Sequence, residues 1–266
     1  INYNPSDFTV VENGIVRPVT SIICPPPVTP PVSVTFAVDI SFSMSIDGRL
    51  QKLKDASTQL VNDLSYPPAA SAIVGFNDDT QILLPYTSNK ATILSTIAGL
   101  THTSGSTDLS GAFLDANTGA IDVTKNRSGD KYIVFVTDAF ENITPALENQ
   151  IIIAARAANI RVYTVVISPL TTNMSLRRIA QQTGGKWFEN VATSEDAKNI
   201  FREIGNDIFE YPPCTLYYET DGCDTDRALT VTLRKIGRTV TRTTRVAIDP
   251  DDIVWLRVNT LLLDFG

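Results

Sequence analysis

Histidine, cysteine and long apolar runs are what this chain has least of. His102 is the single histidine among 266 residues. No nucleophilic serine elbow or cysteine partner accompanies it, so it reads as a surface or rim residue rather than a catalytic one. The 3 cysteines, Cys24, Cys214 and Cys223, form no C-x-x-C pair, which removes the usual zinc knuckle. No apolar run approaches the roughly 20 residues of a membrane-spanning helix. No glycine-rich phosphate loop follows the first buried strand, which argues against nucleotide binding. Lys and Arg (22) are outnumbered by Asp and Glu (29), for a net charge of −7. Phosphate backbones need the opposite balance, so nucleic acid is an unsuitable partner. The chain begins at Ile1 without a signal-peptide pattern, as a mature or cut form would.

What is present is ordinary for a globular protein of one or two domains: 43% hydrophobic and 19% charged residues. The informative stretch is Val34-Thr35-Phe36-Ala37-Val38-Asp39-Ile40-Ser41-Phe42-Ser43-Met44. Its first half is a short apolar run suited to a strand buried on both faces, and it ends in an acid and two hydroxyls. If the backbone stays extended, Asp39, Ser41 and Ser43 point to one side, because side chains in a strand repeat every second residue. One carboxylate with neutral hydroxyls suits a hard, oxygen-loving cation such as Mg²⁺, which retains water.

Two more stretches follow in order. Gly105-Ser106-Thr107-Asp108 precedes a helical pattern, and Ile133-Val134-Phe135-Val136-Thr137-Asp138 is another buried strand ending in an acid. Together with Asp39-x-Ser41-x-Ser43 they resemble the metal-ion-dependent adhesion site (MIDAS) of von Willebrand factor type A domains, the fold shared by integrin I domains. The resemblance spans residues 32–209, and Thr183-Gly184-Gly185-Lys186-Trp187-Phe188 is a further family-like stretch. It implies Asp39, Ser41, Ser43, Thr107 and Asp138 as metal ligands, with Mg²⁺ as the ion and Mn²⁺ or Ca²⁺ as alternatives. It also implies a partner whose Glu or Asp carboxylate completes the coordination, and an adhesion or binding role rather than catalysis. Phe42, His102, Asp108 and Phe140 would form the rim that such a partner meets. Two departures stand out: Phe42 occupies a place where glycine is frequent, and Ala139-Phe140 rather than glycine follows Asp138. As the residue opening a helix, Asp108 is equally a dipole-matched acid.

Taken in order, residues 8–23 predict a hairpin about Asn13-Gly14. The run Pro25-Pro26-Pro27-Val28-Thr29-Pro30-Pro31 is a stiff connector. Strands and amphipathic helices then alternate: a helix over 50–64, strands over 71–77 and 81–86, helices over 91–100 and 109–120, and a strand over 131–138. Thr144 reads as an N-cap with Pro145 in the first turn, leading a helix to 158; a strand over 161–168 follows. A helix ended by Gly184, a strand over 186–191 and a last helix through Ile208 complete the pattern. Tyr211-Pro212-Pro213 is a second connector, and strands are expected over 228–233, 239–248, 253–258 and 261–263.

The expected fold is therefore α/β, a doubly wound, mainly parallel and Rossmann-like sheet over 32–209, inserted into a small antiparallel β-sandwich built from 1–31 and 210–266. Ligands of such sheets sit at the carboxyl ends of the strands, where Asp39 and Asp138 fall. The cysteines leave three arrangements open: a local Cys214–Cys223 bridge, a Cys24–Cys214 bridge, or reduced thiols; a bridge would imply an oxidising compartment. An extracellular, cell-surface or periplasmic location is expected. The basic stretch of Arg227, Arg234, Lys235, Arg238, Arg242 and Arg245 reads as a solvated face or a protected sheet edge, and the sequons at Asn126, Asn142 and Asn173 mark surface loops if the source glycosylates. Two rival readings stay open. One is an Mg²⁺-dependent phosphatase using Asp39 as nucleophile, although Ser41 stands where such enzymes carry a second acid. The other is a structural module with a vestigial site.

Overall fold

The computed structural model describes residues 3–26, 28–138, 143–168, 172–209, 214–220, 226–235 and 238–247. The chain divides into two compact units, Ile1–Val28 with Glu210–Gly266, and Thr29–Phe209.

The smaller unit opens with β1 (Phe8–Glu12), β2 (Ile15–Arg17) and β3 (Val19–Ile23). Asn13 and Gly14 take φ of +48° and +84° in the turn, the left-handed pair that a tight hairpin needs. The second arm of the hairpin does not run on unbroken. Pro18 offers no amide to a ladder, so β2 stays paired with β1 and β3 leaves for another sheet.

The larger unit begins with β4 (Val32–Asp39), every residue of which is buried. Then come α1 (Arg49–Asp63), β5 (Ala70–Phe76), β6 (Thr80–Thr87) and α2 (Lys90–Ala98). The single helix expected over 109–120 is two, α3 (Leu109–Leu114) and α4 (Ala120–Thr124). Asn117 turns left-handed between them at φ +72°, and a Cβ at Gly119 would stand 2.8 Å from the carbonyl oxygens of Phe113 and Asp115. β7 (Asp130–Thr137), α5 (Pro145–Ala157), β8 (Ile160–Val166), α6 (Met174–Gln182), β9 (Trp187–Phe188) and α7 (Ser194–Ile208) complete the unit. Thr144 caps α5, with Pro145 in its first turn. β9 is far shorter than the expected strand over 186–191, since Asn190 turns left-handed at φ +61°.

These strands form one sheet in the order β6-β5-β4-β7-β8-β9, parallel throughout except for β6. Alternate residues feed two cores. Val34, Phe36 and Val38 of β4 join Leu53, Leu60, Phe201 and Ile204 of α1 and α7 on one face. Ala37, Ile133 and Phe135 join Phe113, Ile151 and Ile179 on the other. Phe135 stacks between Phe113 and Phe76, with ring centroids 4.1 and 4.9 Å away. This is the period-two burial of a sheet covered on both faces.

The chain returns to the smaller unit with β10 (Thr215–Tyr218), β11 (Asp226–Lys235) and β12 (Arg238–Ala247). One antiparallel sheet has the order β12-β11-β1-β2 and a second pairs β10 with β3. Val10, Leu216, Leu229 and Val231 form the core cluster, with Phe8, Val19 and Tyr218 packed on it. Thr215 stands opposite Ile23, and Cys24 and Cys214 beside them form a disulfide with Cα atoms 4.2 Å apart. That bridge replaces the local Cys214–Cys223 alternative. Cys223 lies outside the described residues, as do Tyr211-Pro212-Pro213 and the strands expected over 253–258 and 261–263.

Two surface expectations are corrected. Arg227 does not belong to a solvated face: it is 7% exposed, and its Nη1 donates to Glu12 Oε1 at 2.8 Å. Arg234, Arg242 and Arg245 are exposed. Asn173 is buried, its side-chain oxygen accepting from the Leu176 amide as the cap of α6, so this sequon does not lie open. Asn126 is exposed, and Asn142 lies outside the described residues.

Glu12 also accepts from Arg17, Tyr218 and Thr220. Burial alone would raise its carboxyl, but the bonds from Thr220, Arg227 and Tyr218 outweigh it and hold the group below its ordinary value. The stability this cluster contributes is therefore present above the unfolded glutamate range and lost as pH falls through the depressed native value. Protection factors of β1 and β11 amides, which correct for the intrinsic pH dependence of exchange, should fall on acidification and in Glu12→Gln, which should cost this unit about 3 kcal/mol as the loss of one partner of a buried ion pair. Unchanged protection in both cases would refute it.

Candidate functional site

The two acids arrive on neighbouring strands. β4 pairs with β7 in a register that sets Val38 opposite Val136, so Asp39 and Asp138 both leave the sheet at its carboxyl edge. Asp39 is fully buried. Its Oδ1 accepts from the Ser41 amide at 2.9 Å and its Oδ2 from the Thr137 hydroxyl at 2.6 Å. Burial raises its carboxyl to about 6; the bonds from Ser41 and Thr137 pull the other way, and the charge of Asp138 pushes further up. Asp138, 1% exposed, accepts at Oδ2 from Arg49 Nη1 at 2.6 Å.

The backbone does not stay extended through Ser43. The strand ends at Asp39, and Phe42–Gly48 coils into 3₁₀ turns with Ser41 as the extended residue before them. The two hydroxyls meet all the same, with Ser41 Oγ 3.1 Å from Ser43 Oγ. The bend replaces strand periodicity as the reason they converge.

The loop carrying Thr107 is tied on one side to this bend and on the other to the turn after β5. The Thr103 amide donates to the Ile40 carbonyl at 2.7 Å, and the Phe42 amide donates to the Gly105 carbonyl at 3.4 Å. The Asp108 amide donates to the Asn77 carbonyl at 2.7 Å. Asp78 Oδ1 accepts from the Ser106 amide at 2.9 Å and from its hydroxyl at 2.5 Å. Gly105 has φ +124°, and a Cβ there would meet Asp78 Oδ2 at 2.4 Å. Thr107 is largely buried between these anchors.

Of the expected rim, Phe42 is 60% exposed and meets exposed His102 edge to face, centroids 6.3 Å apart. Asp108 is exposed and caps α3, accepting from the Gly111 amide at 2.9 Å. Phe140 lies outside the described residues. Sequence reasoning passed over Arg49, Thr137 and Asp78. Thr137 is legible as the residue before Asp138, and Asp78 falls in the gap between the strands expected over 71–77 and 81–86. The one signal for Arg49 was a cation opening a helix, where the dipole disfavours it.

The five residues expected as ligands carry two carboxylates and three hydroxyls. Among the described residues no three His, Cys, Asp or Glu side chains cluster as a metal site. Oxygen donors with more hydroxyls than carboxylates would suit a hard divalent cation that keeps some water.

Over residues 33–203 the sequence matches the family model described as von Willebrand factor type A domain. No curated protein matches it. Among solved structures, a von Willebrand factor type A protein from Catenulispora acidiphila aligns with a TM-score of 0.55 and 15% identity, covering 92% of this chain and 74% of that one. Proximal thread matrix protein 1 from the mussel byssus aligns with a TM-score of 0.56 and 15% identity over 74% of this chain. The PilB minor pilin from Streptococcus sanguinis does so with a TM-score of 0.53 and 18% identity over 69%. The chain spans only 51% of the byssus protein and 62% of the pilin. A further structure of the byssus protein has a zinc-occupied MIDAS motif. At these identities the likeness is one of fold, whereas the family match covers well over half of the chain, which belongs to the von Willebrand factor type A domain family.

Proposed function

We propose that this chain is an adhesion or protein-binding module in which Asp39, Ser41, Ser43, Thr107 and Asp138 hold a divalent cation, Mg²⁺ first and Mn²⁺ or Ca²⁺ as alternatives. A Glu or Asp carboxylate of a partner protein would complete the site. Domains of this family are generally protein-interaction modules, typically without catalytic activity. The observation that carries the reading is the convergence of separate segments: the bend after β4, the end of β7 and the hydrogen-bonded loop around Thr107. When bound, the cation would supply positive charge that hydroxyl donors neutralise poorly, leaving it attractive to one foreign carboxylate. Ser41, Ser43 and Thr107 would contribute neutral oxygens, and Asp39 and Asp138 would hold it directly or through water.

A nucleophilic role for Asp39 has less support. The carboxylate is fully buried and both of its oxygens already accept hydrogen bonds. An outward-facing location, extracellular, on the cell surface or periplasmic, is favoured by the Cys24–Cys214 bridge. The byssus matrix protein and the minor pilin point the same way.

Isothermal titration of Mg²⁺ and Mn²⁺ into the full chain should show a single ion bound, and Asp39→Asn or Thr107→Ala should weaken it at least about 100-fold while the fold survives. Equal heats in wild type and variants would remove the proposal. Gly105→Ala tests the loop separately. The left-handed backbone and the Asp78 contact predict a destabilisation of about 1–3 kcal/mol and weaker ion binding, although Gly105 itself offers no donor side chain. Unaltered melting temperature and ion affinity would show that the loop is not set by these anchors.

A further inference from the structure

One cation at this edge belongs to the chain itself. Arg49 opens α1 directly after Gly48, whose φ is +66° and which gives the helix no side-chain cap. A positive charge in the first turn faces the positive end of the helix dipole, an unfavourable place for it. Arg49 is nonetheless 7% exposed. Its Nη1 donates to Asp138 Oδ2 at 2.6 Å and reaches the Ser43 carbonyl oxygen at 3.4 Å. It thus spans the hydroxyl-bearing bend and the second carboxylate, two of the segments from which the site is built.

We propose that Arg49 is an internal counter-cation that competes with the divalent ion for Asp138. The inference rests on the metal reading above and deepens it. Asp39, Asp138 and Arg49 together carry one negative charge in excess when ionised; a divalent ion turns that into one positive charge in excess. With no partner present, a dication entering beside a buried guanidinium is opposed by like charge and must share or displace Arg49 at Asp138. A partner carboxylate removes the surplus. Ion binding and partner binding therefore reinforce each other, each raising the affinity for the other by the same factor, and Arg49 sets the size of that factor.

The test is titration of Mg²⁺ and Mn²⁺ alone into the full chain as wild type, Arg49→Gln and Arg49→Lys, with thermal unfolding in chelator as the second readout. Arg49→Gln should bind both ions at least about tenfold more tightly than wild type, because the competing charge is gone. In chelator it should unfold at a lower temperature than wild type, because Asp138 has lost its counter-charge. Arg49→Lys keeps the charge and should stay near wild type in both measurements, and Arg49→Met supplies the neutral comparison if the glutamine variant does not fold. Wild-type ion binding with equal or weaker binding in the neutral variants would overturn the counter-cation and make Arg49 a positioning residue for Asp138. Failure of wild type and variants alike to bind either ion at millimolar concentration would overturn the metal reading and this inference with it.

Discussion

Two carboxylates buried side by side at the ends of adjacent parallel strands are the constraint around which the rest of this edge is arranged. Asp39 and Asp138 are both screened from water, where an uncompensated charge is costly. Each meets it differently. Asp39 receives a backbone amide and the Thr137 hydroxyl, dipoles that moderate burial without cancelling it, so its carboxyl still rises to about 6. Asp138 receives a full charge from Arg49. The sheet makes the problem, since β4 and β7 are neighbours buried on both faces; the bend after Asp39 and the start of α1 answer it locally.

The parts that were legible in the sequence are those in which local chemistry and tertiary environment agree. The runs ending at Asp39 and Asp138 are apolar on both faces, as a central parallel strand must be, and Thr144-Pro145 and Asn13-Gly14 carry their own backbone preferences. The misreadings lie where a distant contact overrides local pattern. Leu109, Phe113 and Ala120 share a helical spacing, yet the backbone breaks between them so that α3 and α4 can each pack. β10 was missed because four residues have too little pattern to announce a strand, and its pairing partner, β3, lies far back in the sequence at residues 19–23. Arg227 looked like one of a row of surface cations; its acid is on β1. Arg49 could not be assigned for the same reason, since its carboxylate arrives from a strand 89 residues later.

The smaller unit is held by more than apolar contact. Among its described residues Val10, Leu216, Leu229 and Val231 form the buried apolar cluster. Two ties of another kind accompany it. Here these are the Cys24–Cys214 bridge and the fourfold-bonded carboxylate of Glu12. Both join residues near the two chain ends, so the unit exists only once the intervening residues have been made, and its stability is set by long-range closure more than by local propensity.

Shared fold leaves the choice of partner to the particular residues around the site. Phe42 stands where glycine is frequent, is largely exposed and is braced against His102. The whole chain carries a net charge of −7, so an acidic partner gains nothing from the long-range field. At physiological ionic strength that field is screened beyond about 8 Å, so repulsion does not forbid approach either. In the proposed reading, recognition of a carboxylate would therefore be decided at contact distance. There the positive charge of a bound cation and the exposed apolar face of Phe42 would act together, and a partner offering an acid beside an apolar side chain would engage both at once.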